Sequence, residues 1–162
     1  MEKLDFKFKY SITIQVSGPT RCGKTRFLRC ILSKKLSKLF ANRIFWVYSE
    51  WQPDYMCIRN YYPEIEFVNG WHDQIFDTLS PNQRNIIILD DQMGVASSSQ
   101  SVVDLFTRGS HHQNLTVIYL VQNLYNHGKS IDNLFEYTLQ CGLSQQSRCV
   151  TVPHYGIPNM FK

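Results

Sequence analysis

The sequence predicts an α/β layered domain with a mainly parallel sheet, and three observations predict it. Stretches with strand character alternate with stretches at helical spacing. A glycine-rich loop, Gly18-Pro-Thr-Arg-Cys-Gly-Lys-Thr25, stands between a strand pattern and a helix pattern. A near-continuous apolar run, Asn85-Ile-Ile-Ile-Leu89, ends in two aspartates, Asp90 and Asp91.

Taken in order, the first ten residues are a charged lead-in. Ser11-Ile-Thr-Ile-Gln-Val16 is an alternating, β-branched run and reads as the first strand. After the loop, Phe27, Leu28, Ile31, Leu32, Leu36, Leu39 and Phe40 recur at helical spacing, so a helix is expected from Thr25 to Phe40. Its lysines Lys34, Lys35 and Lys38 either track a nucleic-acid backbone or form a solvated face near a helix C-terminus. Arg43-Ile-Phe-Trp-Val-Tyr48 is the second strand, and it runs into a segment where Pro53 breaks the pattern. Glu64-Ile-Glu-Phe-Val68 is a short third strand closed by Asn69-Gly70. Trp71 to Leu79 is expected to be helical and to end at Ser80-Pro81.

The run Asn85–Leu89 is what a strand buried on both faces looks like. Gly94 to Gln100 is small and polar and reads as a mobile loop over the site. Val102 to Arg108 is expected to be a short helix, and Leu115-Thr-Val-Ile-Tyr-Leu-Val121 another buried strand.

The loop fits G-x-x-x-x-G-K-T, the phosphate-binding P-loop, and it sits where the physics requires. Its glycines let backbone N–H groups turn towards a polyphosphate, and the helix start adds a positive partial charge. Gly18, Pro19, Thr20, Arg21, Cys22, Gly23, Lys24 and Thr25 are therefore the candidate nucleotide-binding residues. Lys24 suits the β- and γ-phosphates of ATP, and the Thr25 hydroxyl suits Mg²⁺.

Two carboxylates would be a poor choice for a core, but at the C-terminal edge of a parallel sheet they face the ligand crevice. Asp90 fits the acid that holds Mg²⁺, and Asp91 is placed to accept a proton from an attacking water. Gln122, just past the Leu115–Val121 strand, is either a sensor of the γ-phosphate or a turn residue. Arg108 is either an arginine finger acting on a neighbouring subunit or a surface arginine paired within its own chain. His111 and His112 are adjacent, so on a regular element they point apart and do not readily share a metal.

Composition bounds the class. The 162 residues suit one domain; 43% are hydrophobic and 19% charged, so a core can form. No apolar run approaches the length of a membrane span, and the charged start is unlike a signal peptide, so an intracellular, soluble protein without a membrane partner is expected. Five cysteines without C-x-x-C spacing argue against a disulfide framework or zinc module. The formal charge of +4 permits nucleic-acid contact without demonstrating it.

The order of five segments carries a family resemblance: the P-loop, Ser49-Glu-Trp-Gln-Pro53, Ile88-Leu-Asp-Asp-Gln-Met93, Thr107-Arg-Gly-Ser-His-His112 and Leu120-Val-Gln-Asn-Leu124. Over about Ile12 to Lys129 the chain resembles the genome-packaging ATPases of Polinton/Maverick elements and adintoviruses, within the FtsK/HerA class of DNA-pumping ATPases. The resemblance implies a P-loop NTPase three-layer sandwich with a RecA/FtsK-like sheet. It implies ATP and Mg²⁺ as cofactors, with Lys24 and Thr25 holding them and Asp90 as the strand-end acid. Asp91 is implied as its catalytic neighbour, Gln122 as sensor and Arg108 as finger. It further implies a homo-oligomeric ring around double-stranded DNA, with capsid proteins as further partners.

The C-terminus departs from that family, which continues into another hydrophobic strand. Residues 1–129 are therefore read as the ATPase core and 130–162 as a divergent, irregular tail, as in a truncated copy. The functions that compete are an ATP-driven DNA packaging motor, a nucleotide-binding remnant without turnover, and a small nucleoside or nucleotide kinase. A kinase should carry an arginine-rich lid, and only Arg148 lies beyond Arg108.

Overall fold

The computed structural model describes residues 11–32, 41–92, 100–106 and 114–122, and the backbone of 137–141 and 149–153. The lead-in, the expected end of the first helix with Lys34, Lys35 and Lys38, residues 93–99, Arg108, His111 and His112 lie outside the described residues.

Seven strands form one sheet in the order β3-β2-β4-β5-β1-β6-β7. They are β1 (Thr13–Ser17), β2 (Arg43–Tyr48), β3 (Ile65–Asn69), β4 (Asn85–Asp90), β5 (Leu115–Val121), β6 (Tyr137–Cys141) and β7 (Cys149–Pro153). All pairings from β3 across to β6 are parallel, and β7 closes the edge antiparallel to β6. Every residue of β1, β4 and β5 is buried, which explains the near-continuous apolar runs of β4 and β5; β1 buries Thr13, Gln15 and Ser17 as well.

Helices cover both faces and make three layers. Along each strand alternate residues point to opposite faces, so the core divides in two. On one face Ile14, Val16, Trp46, Ile86, Ile88 and Ile118 pack with Leu28 and Leu32 and with Tyr55 and Ile58. Leu28 lies on α1 (Lys24–Ile31), Leu32 closes that helix as its C-cap, and Tyr55 and Ile58 lie on α2 (Pro53–Tyr61). On the other face Phe45, Val47, Ile87, Leu89, Val117 and Tyr119 pack with Ile75 of α3 (Asp73–Asp77) and Val102 of α4 (Gln100–Asp104). Full burial of each such side chain stabilises the fold by about 1.5–3 kcal/mol before chain entropy is counted.

Three expectations are corrected. Pro53 does not simply break the pattern: it opens α2, where its missing N–H costs nothing and its fixed φ suits the first helical turn. Gln100 belongs to α4 rather than to the preceding loop. The tail is not irregular throughout, because β6 pairs with β1 from Ile14↔Tyr137 to Ser17↔Gln140. The sheet thus continues past the boundary drawn after Lys129, and a strand does follow the Leu115–Val121 strand in chain order.

Candidate active site

The site forms where β1, β5 and β4 end. β5 lies between the other two, with Ser17 opposite Val121 and Asp90 opposite Leu120. Two strand spacings therefore separate the loop after β1 from the acids after β4, about 10 Å. That gap admits a phosphate group and its metal. α1, which follows β1, packs on one face of the sheet and α4, which follows β4, packs on the other, so a crevice opens above β5.

The P-loop is anchored at its start by the Gly18 N–H, which donates to the Val121 carbonyl at 3.1 Å. Gly23 sits at φ 96°, a left-handed conformation that glycine adopts without a Cβ penalty, and it is the N-cap of α1. No side chain caps that helix and its first turn holds no acid, so its leading N–H groups remain available to an anion. Arg21 also takes a positive φ of 65°, an uncommon conformation outside glycine. Lys24 Nζ donates to the carbonyls of Gly18 at 2.6 Å and Pro19 at 3.0 Å, so the ammonium lies against the loop.

Asp90 shares the α1/α2 face with Ile86 and Ile88 and is only 5% exposed. Burial raises its pKa above the ordinary 3.8, and the negative charge of Asp91 adds to the rise. A hydrogen bond from Tyr55 and the nearby Lys24 charge work against that rise. The Tyr55 hydroxyl donates to Asp90 Oδ2 at 2.6 Å, and the tyrosine's own pKa is pushed up by burial and by the Asp90 charge.

Asp91 turns out of the strand at φ 56°, with its N–H donating to the Leu120 carbonyl at 3.3 Å. Gln122 donates from Nε2 to Asp91 at 3.4 Å (Oδ1) and 3.3 Å (Oδ2).

A cleft of about 470 Å³ joins these groups. Thr20, Arg21, Gly23, Lys24, Thr25 and Arg26 line one side; Asp90, Asp91 and Gln122 line the other, with Gln52, Pro53 and Asp54 from the start of α2. The structure thus brings Lys24, Thr25, Asp90, Asp91 and Gln122 to one cavity. Gly18 and Pro19 lie behind it as the carbonyls that Lys24 reaches, while Cys22 packs against the α1-face core. Arg108 lies outside the described residues.

The donor set fits a magnesium nucleotide. A hard divalent cation takes oxygen ligands, and a hydroxyl (Thr25) and a carboxylate (Asp90) line the same cavity. The cations of Arg21, Lys24 and Arg26 and the uncapped α1 start suit the phosphates. Nothing local in the sequence marks Tyr55 as a site residue. Pro53-Asp54 is a helix-start signal that would have placed it on α2, but its meeting with Asp90 is a tertiary event.

No family model and no curated protein matches this chain. Solved structures do match in fold. Across 79% of this chain, at 14% identity and TM-score 0.59, it is similar to ATPases 2 and 3 of Thermomonospora curvata EccC in complex with a signal sequence peptide. Over the same share it is similar to the cytoplasmic domain of that organism's type VII secretion ATPase EccC, at 12% identity and TM-score 0.61. Over 86% it is similar to B204, the DNA-packaging ATPase of Sulfolobus Turreted Icosahedral Virus, at 11% identity and TM-score 0.58. The chain spans 30% and 20% of the two EccC chains and 79% of the B204 chain. At these identities the likeness is one of fold, and the fold is that of P-loop ATPases.

Proposed function

We propose that this chain is the ATP-binding and ATP-hydrolysing domain of a motor that moves double-stranded DNA, in the packaging of a viral-type element. The observation that carries the reading is the Asp91–Gln122 pair facing Lys24 and Thr25 across β5. In this reading Lys24 and the P-loop amides bind the phosphates, and Thr25 and Asp90 hold Mg²⁺, which neutralises phosphate charge when bound. Asp91 orients the attacking water and takes its proton, and Gln122 fixes Asp91. The DNA-packaging activity of the B204 neighbour supports the choice of cargo, and the segment order from Thr107 to Leu124 supports the Polinton/adintovirus type. A homo-oligomeric ring and capsid proteins as docking partners belong to the same proposal.

The reading as a remnant without turnover rested on a missing core strand. β6 pairs with β1 at that place, which weighs against that reading. Among the described residues no helix is long and apolar enough to cross a membrane.

Steady-state phosphate release, measured with and without duplex DNA, tests the proposal. Mg²⁺-dependent turnover stimulated by duplex DNA is expected. Nucleotide binding without turnover in either condition would restore the remnant reading.

A further inference from the structure

The carboxylate of Asp90 is held from behind. Tyr55 is 1% exposed, and its O–H···O distance to Asp90 Oδ2 of 2.6 Å is that of a charge-assisted hydrogen bond. The phenol has little freedom to leave. Its ring centroid lies 5.4 Å from that of Trp46, 5.5 Å from Trp51, and 5.6 Å from both Tyr48 and Phe67. The tyrosine is also one residue beyond Asp54, which lines the cleft with Gln52 and Pro53.

We propose that Tyr55 is a positioning residue for Asp90, fixing the rotation of its carboxylate so that a divalent cation in the cleft meets it in one orientation. A carboxylate has about four acceptor directions, and the phenol occupies one. The rest are then set in space, whereas an unheld aspartate would have to be ordered on each metal binding event. Tyr55 stays off the substrate; it acts through Asp90. Partners one step behind metal ligands commonly matter by about 10-fold to 100-fold in metal affinity. The inference rests on reading the cleft as a magnesium–nucleotide site.

Tyr55→Phe tests it, because the ring and its packing stay while the donor goes. The expected result is unchanged ATP binding in the absence of metal and a Mg²⁺ midpoint for turnover raised about 10-fold. At saturating Mg²⁺ the KM for ATP should stay near wild type and kcat should fall. A merely structural role would lower thermal stability without moving the Mg²⁺ midpoint, and that result overturns the proposal. If Tyr55→Phe does not fold, Tyr55→Met, which fills the space flexibly and carries no hydroxyl donor, supplies the second measurement. With a non-hydrolysable ATP analogue bound, its Mg²⁺ affinity should be about 10-fold weaker than that of the wild type. Unchanged affinity overturns the proposal. A wild-type protein that binds no nucleotide overturns the underlying reading and Tyr55's role with it. Nucleotide binding with an unmoved midpoint in Tyr55→Phe overturns the role alone.

Discussion

Gln122 Nε2 stands 3.3 Å from Asp91 Oδ2, although the two residues are 31 apart in the chain. The contact follows from placing β5 beside β4: the two strands run parallel and end together, so the residue after each meets the other at the sheet edge. Since β5 also adjoins β1, the same edge carries the P-loop. The amide donates, so it orients the Asp91 carboxylate beside the cleft.

Asp91→Asn should therefore keep ATP affinity and lose turnover by about 10²–10⁴-fold. Gln122→Ala should lose turnover by a smaller factor, because Asp91 remains but is no longer held. The double variant should be no slower than Asp91→Asn alone, since both changes act on one unit. Single-turnover hydrolysis beside equilibrium nucleotide binding checks this. Fully additive losses would separate the two residues.

Asp90→Asn should separate function from stability. Burial raises the Asp90 pKa in the folded protein above 3.8, so the folded state binds the proton more tightly than the unfolded state. Stability attributable to this group falls as pH rises through that window, and the cost of the buried charge is present in full above the folded pKa. An asparagine carries no such charge and can still accept from Tyr55. At pH 7 the variant should melt higher, by about 2–4 °C for each kcal/mol relieved, and the difference should vanish below pH 3.8. The same variant should need more Mg²⁺ for nucleotide binding. Thermal melts across pH, with and without MgATP, check both halves.

The central strands were legible because burial on both faces writes itself as an apolar run. β2 and β5 have the bounds their patterns predict, and β4 stops at Asp90. What the chain hid had physical reasons. Pro53 signals a break or a helix start equally well, and the sparse core face of α2, Tyr55 and Ile58, gave too little periodicity to decide. β6, Tyr-Thr-Leu-Gln-Cys, is short and half polar, and its place is set by pairing with β1 rather than by its own pattern. Within the site, Lys24, Asp90, Asp91 and Gln122 are marked by their position after strands. Tyr55 is marked by nothing local, since its partner lies 35 residues away.

Lys24→Ala removes the ammonium that can meet the γ-phosphate, and with it the donor to the Gly18 and Pro19 carbonyls. Loss of a preorganised charge of this kind costs about 10²–10³-fold in turnover. Affinity for ATP should fall as well, because the loop loses an internal tie at the same time. Calorimetric titration with ATP and a steady-state assay check this; undiminished affinity and turnover would remove the P-loop from the mechanism.

Arg108 offers the test of assembly. In the sequence it stands between β4, which ends at Asp90 on the cleft edge, and β5, which begins at Leu115 beside Asn85 on the opposite edge. Arg108 itself lies outside the described residues, and its proposed role is to complete the nucleotide site of a neighbouring subunit. The trans role requires oligomers. Arg108→Ala and Lys24→Ala should each be nearly inactive alone. Mixed, they should recover part of the wild-type rate, since some interfaces then pair an intact P-loop with an intact arginine. Phosphate release from the mixture, with mixed oligomers verified by size and by differential tags, reads the outcome. Full activity of Arg108→Ala, or no recovery in verified mixed oligomers, assigns Arg108 to a contact within its own chain.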